Sequence, residues 1–111
     1  MDVPYLEEIK AEILRIVRPQ RLILFGSYAT GMAREESDID LAMITNDHGK
    51  PSAEYYLKIK RAIKSEKYSV DLLVFSSEEY ERQRSEGWRI IEEIESKGKI
   101  VYEGHPSMVL P

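Results

Sequence analysis

Leu22-Ile23-Leu24-Phe25 is an unbroken apolar run held between Arg21 and Gly26, and it constrains the fold more than any other segment. A strand with one wet face alternates polar and apolar residues, whereas a continuous apolar run suits a strand covered on both sides. Such a strand calls for helices to cover it. Two further segments read as strands: Asp38 to Thr45, and Tyr68 to Phe75 with Val70-Asp71-Leu72-Leu73-Val74 at its heart. Lys99-Ile100-Val101-Tyr102 can add a short fourth.

The helices follow from spacing and from residues that favour their ends. Asp2 is placed to cap a first helix that has Pro4, Glu7 and Glu8 in its opening turn and Leu6, Ile9, Ile13 and Val17 along one face. It should stop before Pro19. A short helix fits Ser27 to Met32, with Gly31 near its end and Arg34-Glu35-Glu36-Ser37 as the loop beyond. After the turn-rich Asn46 to Pro51, Ser52 is expected to cap a helix with Tyr56, Ile59 and Ile63 on one stripe. Ser77 should open another helical region, broken near Gly87, continuing through Trp88, Ile91 and Ile94 as a core stripe, and ended by Gly98. The expected fold class is α/β (α+β): a small mixed sheet of three to four strands flanked by helices. Strand order and direction stay open at this point.

At 111 residues the chain reads as one domain spanning 1–111, with 104–111 as a tail. Anything bulky that it acts on must meet an open surface. With 42% hydrophobic and 32% charged residues it is balanced for folding rather than for disorder. No apolar run approaches the roughly 20 residues of a membrane span, and the first residues lack a basic flank and a cleavable apolar stretch, so a cytoplasmic protein is expected. There is no cysteine, and His48 and His105 stand apart, so zinc sites and disulfides are excluded and any metal is held by oxygen.

The net charge of −4 argues against broad phosphate-backbone binding. Lys58, Lys60, Arg61, Lys64 and Lys67 nevertheless form a local basic cluster on the expected helix, interleaved with Tyr56, Ile59 and Ile63. A solvated helix face accounts for that cluster; a binding patch is the other reading.

The chemistry lies between Gly26 and Leu41. Alternation on a strand places Asp38 and Asp40 on one face, roughly 6.6 Å apart along the backbone, while Ile39 and Leu41 face the core. Two such carboxylates can reach one or two divalent cations. Magnesium prefers oxygen and commonly binds one or two carboxylates together with substrate phosphates, which suits an open aspartate pair. Gly26, lacking a Cβ, allows close backbone approach to a triphosphate, and Ser27 adds a hydroxyl and amides at the start of a helix. Asp71 interrupts an apolar strand, where an unpaired buried charge would be costly. A metal, a hydrogen-bond partner or a strand-end position should therefore accompany it, and an exposed edge aspartate is the alternative. Ser37 can bind a phosphate oxygen or satisfy the loop backbone. Arg34 is read as a solvated loop residue, and Tyr28 as packing on the sheet.

Gly26-Ser27, ten intervening residues, then Asp38-x-Asp40 resembles the signature of the DNA polymerase β-like nucleotidyltransferase superfamily. The likeness runs through Asp71 to Gly98-Lys99-Ile100-Val101-Tyr102 and is greatest to the minimal nucleotidyltransferases. These are short proteins often paired, as antitoxins, with HEPN-domain toxins. The resemblance implies two magnesium ions, ATP or another nucleoside triphosphate as substrate, and release of pyrophosphate. It also implies that Asp38 and Asp40 hold both metals, that Asp71 helps hold the catalytic one and takes the acceptor's proton, and that Gly26 and Ser27 hold the triphosphate. The expected activity is AMP transfer to a hydroxyl, a tyrosine of a partner HEPN ribonuclease toxin, with no nucleic acid and no membrane as partner. Two alternatives stand beside it. One is an antitoxin that neutralises by binding alone; the other is transfer to a small molecule, for which the chain lacks additional acceptor-binding mass.

Overall fold

The computed structural model describes residues 3–46 and 52–104. Asp2, His48, His105, the turn after Asn46 and the tail from 105 lie outside the described residues. The elements are α1 (Leu6–Ile16), β1 (Arg21–Phe25), α2 (Gly26–Thr30), β2 (Ile39–Thr45), α3 (Ser52–Ala62), β3 (Val70–Ser76), α4 (Ser77–Ser85), α5 (Arg89–Lys97) and β4 (Lys99–Glu103). Among them no helix is long and apolar enough to cross a membrane.

The sheet runs β3-β2-β1-β4, with β2 and β3 parallel and the other pairs antiparallel. The mixed α+β architecture expected from the sequence is thus observed, with the fourth strand included. Because β1 is an interior strand and apolar from Leu22 to Phe25, these residues divide between two cores. Leu22 and Leu24 join Leu41, Met43 and Leu72 under α1 and α3, represented by Ile9, Ile13 and Ile59. Ile23 and Phe25 join Ala42, Ile44 and Phe75 under α4 and α5, represented by Tyr80, Ile91 and Ile94. Both faces of the strand are covered, as its continuous apolar run requires.

Several local expectations are corrected. α1 begins at Leu6, so Pro4 precedes the helix, and Tyr5 occupies the N-cap position at φ 63°. Val17 follows the helix as its C-cap and still packs at the core margin. Asp38 lies one residue before β2, and Tyr68 precedes β3. In α3 the inward stripe is Tyr55, Ile59 and Ile63, while Tyr56 is exposed. A four-residue step from Tyr55 to Ile59 and another to Ile63 serves helical spacing as well as the pattern that includes Tyr56. Trp88, expected in the core, is half exposed because it is the N-cap of α5 and lies outside the helical stripe.

Ser77 opens α4 as expected, and Ser52, expected as a cap, is the first residue of α3. For α4 the cap is Ser76: its Oγ accepts from the Glu79 amide at 3.0 Å, and the Glu79 carboxylate accepts from the Ser76 amide at 3.0 Å. This reciprocal pair satisfies two donors that a helix start leaves open. Ser76→Ala should cost about 1 kcal/mol, measured by chemical denaturation. A loss near zero would mean that water replaces the cap without penalty.

Tyr80 shows how α4 and α5 lock together on the second core. Its ring packs edge-on to Phe75, its hydroxyl donates to Glu95, and Arg21 lies 5.5 Å from the ring centre. A buried tyrosine needs such a partner for its hydroxyl.

Candidate active site

The sequence of events at the end of β1 creates the site. Phe25 is the last strand residue and pairs with Asp40 of β2, which in turn pairs with Asp71 of β3. Neighbouring strands lie about 4.8 Å apart, so Asp40 and Asp71 stand side by side. Their parity is that of Ala42 and Phe75, which places both on the α4 and α5 side of the sheet. Asp38 stands two residues before Asp40 in an exposed position.

The three aspartates do not share one environment. Asp38 and Asp71 are exposed, whereas Asp40 is only partly exposed. The Asp40 carboxyl is pushed up to about 6 from an ordinary 3.8, chiefly by burial, then by the charges of Asp71 and Asp38. A hydrogen bond with Asp71 and the charge of Glu93 raise it further. Here the concern about a buried charge at Asp71 is resolved by position. Asp71 is the second residue of β3, an edge strand, and its side chain reaches water.

Gly26 is required for a reason that sequence spacing did not show. It sits at φ +72°, in the left-handed region, and a Cβ built there would fall on the Asp40 carboxylate, 2.8 Å from Cγ. The missing side chain therefore makes room for Asp40 first. Ser27 follows as the second residue of α2, and Gly31 closes that helix at φ +77°. Ser37 serves the loop: its Oγ accepts from the Arg34 amide at 2.7 Å, and its own amide donates to the Arg34 carbonyl at 3.0 Å. Arg34 is exposed and Tyr28 packs at the edge of the first core, both as expected.

Glu93 was not singled out from the sequence. It lies on α5 between the buried Ile91 and Ile94, and only the packing of α5 against β1 and α2 brings its charge toward Asp40. Helical periodicity marks Glu93 as an outward residue and says nothing about which site it overlooks.

Among the described residues no three His, Cys, Asp or Glu side chains form a ready-made cage for an ion. The acidic group is open and all-oxygen, and the charges of Asp71 and Asp38 add to burial in raising the Asp40 carboxyl. Those properties fit a hard divalent cation that keeps part of its water and completes its shell with substrate oxygen. Asp38, Asp40 and Asp71 are the residues that could hold it.

Comparison with known proteins gives the arrangement a lineage. No curated protein matches the chain. Among solved structures, a Sulfolobus solfataricus protein assigned as a nucleotidyltransferase superposes with a TM-score of 0.62 at 19% identity, covering 87% of this chain and 76% of that one. A toxin–antitoxin complex with AMP-PNP gives 0.58 at 25% identity, with 92% and 77% covered. The Shewanella oneidensis complex of a tri-AMPylated HEPN toxin with an MNT antitoxin gives 0.50 at 22% identity, with 88% and 72% covered. The family model for the nucleotidyltransferase domain matches residues 6–101, a span that includes Gly26, Ser27 and all three aspartates. The chain belongs to the nucleotidyltransferase domain family, and it is a nucleotidyltransferase resembling the MNT members of toxin–antitoxin complexes.

Proposed function

We propose that the chain transfers AMP from ATP to a hydroxyl of a protein partner, a tyrosine of a HEPN toxin, and thereby acts as an antitoxin in the cytoplasm. The observation that carries this reading is the half-buried Asp40 between Asp71 and Asp38, beside a glycine whose missing side chain leaves it room. The structural neighbour with AMP-PNP supports a nucleotide in such a fold, and the AMPylated toxin in the Shewanella complex supports this acceptor class.

In this reading Gly26 and Ser27 hold the triphosphate, with Ser37 at the loop beside them. Asp38 and Asp40 would hold two magnesium ions, with Asp71 helping to hold the catalytic one. Bound metal supplies charge neutralisation for the attacking and leaving oxygens. The acceptor oxygen attacks the α-phosphorus, the bond to pyrophosphate breaks, and the hydroxyl proton passes to Asp71. The reaction needs positioning and electrostatics rather than a protein nucleophile, in keeping with a chain that has no cysteine.

Incubation with α-labelled ATP, magnesium and a HEPN toxin should label that toxin on tyrosine and silence its ribonuclease. Silencing without label would replace this reading by neutralisation through binding alone.

A further inference from the structure

The basic cluster on α3 borders a groove of about 400 Å³ between that helix and the edge strand β3. Leu57, Lys60, Arg61, Ile63, Lys64 and Val70 line it. Its apolar part is Leu57, 55% exposed, together with the buried Ile63 and Val70. The three basic residues divide their work. Lys60 Nζ donates to the Val70 carbonyl at 2.6 Å and so occupies a backbone acceptor at the open edge of the sheet. Arg61 and Lys64 are exposed at the rim and form no ion pair among the described residues. In a chain of net charge −4 this is a local reversal of sign.

The groove adjoins the reacting end of the molecule. Val70, in its wall, directly precedes Asp71 on β3, and among the described residues no strand covers that edge. Consecutive strand residues point to opposite faces about 3.3 Å apart along the chain. The groove lies on the α3 face and Asp71 on the α4 and α5 face, so an acceptor that presents a hydroxyl to Asp71 and also fills the groove has to wrap the open edge of β3. Because Lys60 already takes the Val70 carbonyl, side chains rather than strand addition would make the contact there.

We propose that the groove between α3 and β3 docks the protein acceptor, seating one of its apolar side chains beside Leu57 and setting its carboxylates against Arg61 and Lys64. This rests on the reading above that the acceptor is a protein. A basic rim also attracts phosphates, but the exposed apolar Leu57 beside Ile63 and Val70 favours a protein segment, which can seat an apolar side chain there, over an RNA backbone, which has none.

The test is steady-state AMP transfer to the HEPN partner by the full chain and its Leu57→Asp, Arg61→Glu/Lys64→Glu and Arg61→Lys variants. The acceptor KM should rise about tenfold or more for the first two, with ATP KM and saturated kcat unchanged. Arg61→Lys should stay near wild type, and the wild-type acceptor KM should rise with salt while that of the charge-reversed variant does not. Leu57→Gln gives the same comparison should the aspartate lower the melting temperature. Unchanged acceptor KM in both main variants, with the wild type labelling its partner, overturns the docking groove and leaves the proposed transfer intact. No labelling of the partner by the wild type overturns both. Labelling of an RNA end that the charge reversal abolishes overturns the protein as occupant.

Discussion

Asp40→Asn should abolish nucleotidyl transfer and, in the metal-free protein at neutral pH, make the fold more stable. The two effects share one cause. Asp40 is held half-buried beside Asp71 and Asp38, with its carboxyl raised to about 6 from 3.8. Since the folded state raises this pKa, the stability the group contributes is complete below about pH 4 and is lost as pH rises through 6. At pH 7 the charge is a penalty. Full conversion of the displacement would be roughly 3 kcal/mol, and screening by water at a partly exposed carboxyl reduces it to about 1 kcal/mol. For a chain of this size that is a rise of about 5 °C in melting temperature. The amide removes the penalty above pH 6 and changes nothing below pH 4. Transfer should fall about a thousandfold with the charge that neutralises the metal. Wild-type protein should gain stability when magnesium is added, and Asp40→Asn should gain far less. Calorimetry in chelator and in magnesium, across pH 4 to 8, reads all of this. A variant that melts lower than wild type at pH 7 in chelator would show that Asp40 holds the fold rather than straining it.

What could be read ahead of the coordinates depended on how local the determining physics is. The double covering of β1 followed from four adjacent apolar residues, and the short helix ended by Gly31 from its left-handed turn. Asp71 could be suspected because a charge interrupts an apolar strand. Its association with Asp38 and Asp40 could be expected too, but the parallel register that sets Asp71 directly beside Asp40 belongs to the sheet and leaves no trace in spacing. Tyr55 and Tyr56 both fit a helical stripe, and only the angle of α3 on the sheet decides between them. Trp88 has the bulk of a core residue, but its N-cap backbone turns it away from the stripe that Ile91 and Ile94 share. Glu93 reaches the site through the packing of α5, which no local pattern encodes.

Gly26→Ala separates two reasons for one glycine. The left-handed backbone at φ +72° disfavours any Cβ by about 1–2 kcal/mol. The added carbon also meets Asp40, overlapping its carboxylate and lying 2.8 Å from Cγ and 3.1 Å from Cβ. Relief requires the Asp40 side chain to rotate away or the β1–α2 junction to move, and either displaces a group placed for chemistry. A total loss of about 3 kcal/mol is expected, near 15 °C in melting temperature. Transfer should drop on the order of a hundredfold even where the protein remains folded, because small misplacements of reacting groups are costly. Repeating the substitution in an Asp40→Ala background removes the carboxylate and Cγ overlaps and leaves only the backbone term and the contact at Cβ. Gly26→Ala should then cost about 1 kcal/mol less than in the wild type, a coupling expected of residues in contact. Equal losses in the two backgrounds would assign the glycine to backbone conformation alone and detach it from Asp40.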